Sequence, residues 1–165
     1  MNYIIDNMNE SDWPQVSAIY FDGINTKIAT FQSSVPTWED WNNGHCEACR
    51  FVARSQDIIL GWVALTPFSG RCVYAGVAEL SIYIGEKYKG MGVGTTLMNH
   101  LIQCSEEEGY WTLLSGIIRE NTPSRRLHEK CGFREVGYRE RVGKMSTGKW
   151  HDVIIMERRS KLVGD

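Results

Sequence analysis

The stretch Gly76–Ser105, GVAELSIYIGEKYKGMGVGTTLMNHLIQCS, places a strand, a glycine-rich turn and a helix in succession. In its first part the side chains alternate between two faces, with Leu80, Ile82 and Ile84 on one face and Glu79, Ser81 and Tyr83 on the other. After the glycines, helical spacing groups Leu97, Leu101, Ile102 and Ser105 on one face, and Gly109 follows as a C-terminal stop. The stretch therefore predicts a central strand–turn–helix unit.

The turn of this unit carries glycine at three alternate positions, Gly90, Gly92 and Gly94. Glycine loses more conformational freedom on folding than any other residue, so three of them indicate a sharp turn or a close approach to a ligand. Successive glycines let backbone N–H groups converge on an anion, and the start of a helix adds the positive end of its dipole. The pattern therefore predicts a binding site for a phosphorylated ligand.

Two nucleotide-binding motifs do not fit this loop. A P-loop needs Lys followed by Ser or Thr after its second glycine, and here Val93 follows Gly92. The dinucleotide fingerprint needs a third glycine where this chain has Thr95. It also needs a βαβ unit near the start of a parallel fold, which the chain lacks.

The whole chain, residues 1–165, reads as a single domain, since no repeat, low-complexity tract or linker interrupts it. Apolar alternation, helical spacing and turn residues predict the element order β-α-α-β-β-β-α-β-α-β-β. For an α/β (α+β) protein of this order we expect a mixed, largely antiparallel central sheet with helices on both faces.

The composition restricts the location and the partners. The chain of 165 residues is 42% hydrophobic and 23% charged, with a net charge of -2. This balance gives no support for a nucleic-acid or anionic-membrane partner, which would favour a basic surface. No apolar run reaches the roughly 20 residues that span a bilayer, and the N-terminus lacks the positive charge of a signal peptide. We therefore expect a cytoplasmic protein.

Five cysteines, an odd number, are scattered through the chain, which argues against a disulfide framework. Cys46 and Cys49 form a CEAC pair directly after His45, which raises the alternative of a metal or redox site. A structural zinc site takes four ligands, usually from two such pairs, and the sequence has no second pair. We expect no metal site, and the role of the pair stays open.

Several motifs in order resemble the GNAT superfamily of acyl-CoA N-acyltransferases, in particular its phosphinothricin and methionine sulfoximine N-acetyltransferase branch. The loop KGMGVG is similar to the acetyl-CoA loop of the superfamily, with Lys89 where Arg or Gln is usual. The resemblance covers nearly the whole chain, through NTKIATFQ, TPFSGRCVYAGVAELSIYI, IIRENTPSRRLHEKCGF and GKMSTGKWHDVIIMER. Departures from the pattern at Thr66, Gly76 and Ala78 lie on the substrate side, which leaves the identity of the substrate open.

The resemblance implies a GNAT-type fold, acetyl-CoA as co-substrate and a homodimer. The backbone groups of Ile82, Tyr83 and Ile84 would pair with the pantetheine arm as an extra strand would, and the N–H of Ile84 would polarise the acetyl carbonyl. Asn121 would bond the pantetheine amide, with Ser124 one turn later. The pyrophosphate would bind to the loop residues Lys89, Gly90, Met91, Gly92, Val93, Gly94 and Thr95.

Two residues are candidates for catalysis. Glu79 is a carboxylate in an otherwise apolar strand just before the loop, and we expect partial burial to make it a suitable general base. The resemblance gives the matching Glu this role, directly or through a water. His128 stands where many members have a Tyr as general acid for the CoA thiolate. Since an imidazole serves as acid or base near neutral pH, its role as acid, base or positioning group stays open.

Arg71, with Phe68 and Tyr74 beside it, is the candidate clamp for a substrate carboxylate, because a guanidinium group binds carboxylates bidentately. Thr30 and Phe31 would line the same pocket, and the late hairpin around Lys149–His151 borders the site in this branch. The resemblance therefore implies acetyl transfer to the amine of a small amino-acid analogue, such as phosphinothricin, methionine sulfoximine or methionine sulfone.

Alternative functions stay open. A polyamine, an aminoglycoside or a protein N-terminus is another possible acceptor, and a non-catalytic module that senses acetyl-CoA is a function of a different class. A degenerate sensor would have lost Glu79, His128 or the loop glycines, and all of them are present. A cationic acceptor would favour an acidic groove, and the only acidic run is Glu106–Glu108. Both observations favour an enzyme with a small amino-acid substrate.

Overall fold

The computed structural model describes all residues, Met1–Asp165, and contains one seven-stranded sheet. Its strands are β1 (Ile4–Asn7), β2 (Phe51–Ser55), β3 (Ile58–Pro67), β4 (Val77–Ile84), β5 (Thr112–Ile118), β6 (Arg134–Lys144) and β7 (Trp150–Arg159). Their order across the sheet is β1-β2-β3-β4-β5-β7-β6. Only β4 and β5 run parallel, so the predicted mixed, largely antiparallel sheet is confirmed.

Helices cover the sheet on both faces, as the sequence pattern predicts. They are α1 (Trp13–Asn25), α2 (Trp38–Gly44), α3 (Val93–Glu107) and α4 (Thr122–Lys130). On one face α3 buries Leu97 and Leu101 in the same core as Leu80 of the sheet. Each fully buried side chain of this size contributes about 1.5–3 kcal/mol relative to exposure. On the other face, Trp41 of α2 packs with Trp62 of β3.

The boundaries of α3 agree with the sequence pattern. All four residues predicted for its inner face are buried. Gly109, two residues beyond its last residue, has a φ of 85°, the left-handed conformation that commonly ends a helix. At 15 residues α3 is the longest helix, and no helix is long and apolar enough to cross a membrane.

The parallel strands β4 and β5 separate in the middle of the sheet. Their pairing covers only Val77–Glu79 with Thr112–Leu114. Beyond this point β4 continues along β3 as far as the pair Ile84–Gly61, and β5 continues along β7 as far as the pair Ile118–Val153. Beyond Glu79, β4 is therefore paired only with β3 and β5 only with β7, and a gap opens between β4 and β5.

Candidate active site

Two neighbouring cavities lie along the part of β4 that is not paired with β5. The first, here called the Glu79 cavity, has a volume of 360 Å³ and includes Glu79 and His128 in its lining. The second, here called the loop groove, has a volume of 490 Å³ and runs along the glycine loop. The two cavities share the lining residues Ala29, Ile82, Tyr83, Asn121 and Ser124. The loop groove therefore adjoins the cavity that contains Glu79.

The glycine loop presents a series of free backbone donors. Gly90 and Gly92 have φ values of 74° and 83°, left-handed conformations that any residue with a Cβ adopts only at a cost. Gly92 is the N-cap of α3, and the N–H groups of residues 89–95 donate to no backbone carbonyl of the protein. Free N–H groups at a helix N-terminus bind anions, so the loop fits the predicted pyrophosphate site.

A close contact between two helices brings α4 to the loop groove. A Cβ added at Gly94 would lie 3.1 Å from Cδ2 of Leu127, so glycine lets α3 approach α4. Asn121 caps α4 by accepting a hydrogen bond from the N–H of Ser124 at 3.4 Å. Both of these polar residues line the two cavities, as the sequence-based assignment requires.

The register of β4 decides which of its backbone groups face the gap. The N–H of Gly85 donates to the carbonyl of Leu60 at 2.8 Å. Because hydrogen-bonded pairs alternate along an antiparallel ladder, Tyr83 pairs with Trp62, and the backbone groups of Ile82 and Ile84 point toward β5. The expectation that the Tyr83 backbone would bind a pantetheine arm is therefore wrong, since β3 already occupies it.

The side chain of Tyr83 contributes a wall to both cavities instead. Its ring stacks on Trp62 with centroids 4.9 Å apart and contacts Tyr20 at the same distance. Burial raises the pKa of the Tyr83 hydroxyl, and the nearby hydroxyl of Tyr20 raises it further. The phenol therefore stays protonated at neutral pH.

The carboxylate of Glu79 lies at the point where β4 and β5 part. Its side chain is exposed, so the expected partial burial is wrong. The reason is the end of strand pairing at this residue, together with Gly116 on β5, which has no side chain to cover the carboxylate. A Cβ added at Gly116 would lie 3.9 Å from Oε1 of Glu79 and 3.3 Å from Cγ1 of Val153. No lysine, arginine or histidine pairs with Glu79.

The imidazole of His128 is fixed in one tautomer. The ring is 1% exposed, and its Nδ1 lies 2.6 Å from the backbone carbonyl oxygen of Ser124. Because a carbonyl only accepts, Nδ1 carries the proton and Nε2 of the neutral ring is an acceptor. Nε2 is buried and has no hydrogen-bond partner in the protein. Burial lowers the pKa of His128, partly offset by the bond to Ser124, so the neutral ring predominates at pH 7.

The connection between α1 and α2 closes one side of the Glu79 cavity with Thr30 and Phe31. A Cβ at Gly143 would overlap the Phe31 ring, so glycine on β6 makes room for it. His151 meets the same ring edge-on, with centroids 6.3 Å apart. Its Nδ1 lies 3.0 Å from Oε2 of Glu120, and this hydrogen bond lowers the pKa of the Glu120 carboxyl.

The predicted carboxylate clamp forms a cluster of its own. Arg71 lies over the Tyr74 ring at 5.6 Å from its centroid, and Phe68 meets the same ring edge-on at 5.6 Å. All three side chains are exposed on the connection between β3 and β4. They are not in the lining of the Glu79 cavity, in which Glu79 is the only charged residue. The structure thus brings Thr30 and Phe31 to Glu79, but not these three.

Sequence reasoning missed part of the cavity. Ser115 and Gly116 of β5 and Val153 of β7 line it, together with Gln32. The two adjacent small residues between apolar pairs in LLSGII are a signal for Ser115 and Gly116. No pattern in the sequence shows that β5 leaves β4 at this level, so their exposure to the cavity required the sheet register.

The cysteines form no bonded pair and no metal site. All five are free thiols, and no group of three or more potential ligands is placed to hold a metal ion. The hydroxyl of Tyr110 lies 3.6 Å from Sγ of Cys46. Cys49 is 3% exposed, and burial raises the pKa of its thiol. Both cysteines pack against the core on the α3 face.

Comparison with known proteins agrees with this geometry. Residues 8–133 match the model of the acetyltransferase (GNAT) family. The chain is 32% identical to the phosphinothricin N-acetyltransferase of Alcaligenes faecalis over 160 residues, which cover 92% of this chain and 79% of that protein. It is 25% identical to the L-methionine sulfoximine/L-methionine sulfone acetyltransferase of Pseudomonas paraeruginosa, over 95% of this chain and 94% of that protein.

Solved structures share the fold. The ribosomal-protein-alanine N-acetyltransferase of Brucella melitensis superposes with a TM-score of 0.86 at 28% identity, covering 95% of this chain and 99% of that one. A phosphinothricin acetyltransferase of Sinorhizobium meliloti in complex with acetyl-CoA superposes with a TM-score of 0.85 at 23% identity, covering 96% and 89%. The chain belongs to the GNAT family and is an acetyl-CoA-dependent N-acetyltransferase, similar to the phosphinothricin and methionine sulfoximine branch of that family.

Proposed function

We propose that this N-acetyltransferase acetylates the amine of a small amino-acid analogue of the phosphinothricin or methionine sulfoximine class, with Glu79 as general base. The observation that carries the proposal is the junction of the two cavities. A co-substrate held by the glycine loop reaches the Glu79 cavity at Ile82, Tyr83, Asn121 and Ser124. A single carboxylate in that cavity favours a ligand end that arrives as an ammonium group.

The loop groove fits acetyl-CoA. The free N–H groups of residues 89–95 suit the pyrophosphate. The backbone groups of Ile82 and Ile84 that face the gap suit the amides of the pantetheine arm, as an added strand would. The N–H of Ile82, which lines both cavities, is the donor we assign to the acetyl carbonyl oxygen, in place of the expected Ile84, which lines only the loop groove. Asn121, the N-cap of α4, and Ser124 in its first turn line the same groove and suit the remaining polar groups of the arm.

The residues of the Glu79 cavity then perform the proton transfers. Acetyl-CoA supplies a thioester, so an amine nitrogen forms a bond to its carbonyl carbon while the carbon–sulfur bond breaks. Because the acceptor arrives as an ammonium group, its nitrogen loses two protons in the reaction. Glu79 accepts the first, directly or through a water, which frees the nitrogen lone pair for the attack. Nε2 of the neutral His128 accepts a second N–H of the amine and orients it. After the attack the nitrogen loses its second proton to solvent, and the thiolate that leaves takes up a proton from solvent.

The homodimer is part of the proposal. The edge strand β6 exposes Val136, Tyr138 and Val142, with exposed fractions of 49%, 57% and 49%. Exposed apolar edge strands favour pairing with another chain.

Arg71, outside the Glu79 cavity, remains our candidate for binding the carboxylate of the substrate, since the cavity itself offers no cation.

An assay with a panel of amines tests the substrate class. The protein is incubated with acetyl-CoA and with methionine sulfoximine, methionine sulfone, phosphinothricin, spermidine or an aminoglycoside, and release of the CoA thiol is followed. We expect kcat/KM for at least one of the first three to exceed that for the polycations by at least about 100-fold, because rejecting a poorly matched polar substrate is worth several kcal/mol. Equal rates for all amines would contradict the proposal.

The same panel also tests a second class of acceptor, the amine of a protein N-terminus. The structural likeness to the ribosomal-protein-alanine N-acetyltransferase, at 28% identity, favours the amine of a protein N-terminus. A short peptide that begins with alanine represents this class. If the peptide is acetylated and the three analogues are not, the acceptor is a protein N-terminus and the small-molecule proposal fails.

A further inference from the structure

We propose that Arg126 and Lys130 of α4 form a binding subsite for the 3′-phosphate of coenzyme A, separate from the loop that receives the pyrophosphate. The two residues are four positions apart, so they lie on the same face of the helix. Both line the loop groove together with Lys89, Gly90 and Gly92. The inference rests on acetyl-CoA occupying the loop groove, as proposed above.

The two cations have no partner in the protein. Arg126 and Lys130 are exposed, and neither takes part in any of the ion pairs of the chain. Their neighbour Arg125 differs, because its Nη2 lies 3.4 Å from Oε2 of Glu135. Arg125 also does not line the groove. The motif SRRL thus contains one arginine with a structural partner and one without.

The charges of the groove point to a second anion. Its acidic lining residues are Asp22 and Glu86, and Glu86 is already paired with Lys89. Two unpaired cations on α4 therefore face a single unpaired carboxylate, although the whole chain carries a net charge of -2. The pyrophosphate is served by the N–H groups of residues 89–95. The cations of α4 are thus available for the remaining phosphate of coenzyme A, which carries about two negative charges at neutral pH.

Lys130 also has a structural explanation. It lies in the last turn of α4, where a cation stabilises a helix through its dipole by about 0.3–1 kcal/mol. Arg126 lies in the middle of the helix, where this explanation does not apply. The test therefore compares each variant by thermal stability as well as by binding.

Isothermal titration calorimetry with two cofactors measures how much the 3′-phosphate contributes to binding. The wild type, Arg126→Gln, Lys130→Gln and the double variant are titrated with CoA and with 3′-dephospho-CoA. We expect the wild type to bind CoA about tenfold or more tightly than dephospho-CoA, because charge-assisted contacts to phosphate are among the strong ones. In the double variant this preference should fall below about twofold, while the affinity for dephospho-CoA changes less than about twofold.

Arg125→Gln is the matched control and should keep the preference of the wild type. A double variant that binds both cofactors more weakly by the same factor would overturn the subsite, since the cations would then serve the pyrophosphate or the fold. A wild type that binds both cofactors equally would also overturn it. A wild type that shows the preference but acetylates no amine of the panel would refute the proposed substrate class and support the subsite.

Discussion

At the scale of single residues, Glu79 and His128 owe their properties to different surroundings. Glu79 is open to solvent because β5 leaves β4 at its level and places Gly116, which has no side chain, beside the carboxylate. His128 is 1% exposed, and its Nδ1 is tied to the carbonyl of Ser124. The first residue is therefore reached by solvent, while the second holds an acceptor in a fixed position.

The burial of His128 predicts a pH dependence of stability. Its pKa in the folded protein lies below the ordinary 6.5, because desolvation disfavours the charged ring, and burial lowers the pKa of His45 in the same way. Below about pH 6.5 the unfolded chain binds protons that the folded chain does not, so the free energy of unfolding falls with falling pH. We expect urea denaturation between pH 5 and pH 8 to show this decrease.

The variant His128→Gln should lose part of the pH dependence while keeping a polar side chain at the site. His100, which is exposed, provides the control variant His100→Gln for the loss of an imidazole. If His128→Gln retains the full slope of the wild type, the folded-state pKa of His128 is not lowered and its assignment as a neutral acceptor is wrong.

At the scale of elements, the glycine loop and the start of α3 together present the free N–H groups that we assign to the pyrophosphate. The loop needs left-handed backbone at Gly92, and α3 then starts with donors that no carbonyl of the protein accepts. Gly92→Ala should cost about 1 kcal/mol of stability through the strained φ, which lowers Tm by about 2–4 °C in a protein of this size. Because the N–H groups would also be displaced, we expect the Kd for CoA to rise by about tenfold.

Calorimetric titration with CoA and thermal unfolding measure the two effects separately. Met91→Ala is the control, since Met91 is 50% exposed and lies between the two glycines without a left-handed φ. It should change neither quantity appreciably. An unchanged Kd in Gly92→Ala would show that the loop does not hold the pyrophosphate.

At the scale of the whole molecule, the sequence predicts the elements better than the site. Alternation in VAELSIYI and helical spacing after Gly94 are local properties, so the strand, the buried face of α3 and the element order could be predicted. The exposure of Glu79 and the pairing of the Tyr83 backbone with Trp62 depend on sheet register. Register joins residues far apart in the chain, and for this reason both expectations were wrong.

The position of Arg71 outside the Glu79 cavity also depends on three-dimensional structure that the local sequence does not show. Its motif lies near Glu79 in sequence, yet the turn between β3 and β4 carries Phe68, Arg71 and Tyr74 out of the cavity lining. The resemblance to a family indicated the type of residue, and the geometry of the connection decides where it lies.

The proposed homodimer is also a property of the whole molecule. If the exposed apolar residues of β6 pair two copies, multi-angle light scattering in solution should give twice the mass of the 18.8 kDa chain. Tyr138→Lys, which places a charge at an edge position, should shift the equilibrium toward the monomer. A wild type that remains monomeric at micromolar concentration would contradict this part of the proposal.

The role of Glu79 as general base is tested most sharply by the rate of CoA release by Glu79→Gln with the best amine of the panel. The substitution keeps the size of the side chain and removes the base. We expect kcat to fall by about 10²–10⁴-fold. The Kd for CoA and the thermal stability should remain those of the wild type, because Glu79 lies outside the lining of the loop groove. A variant that releases CoA as fast as the wild type would contradict the assignment of Glu79 as the general base.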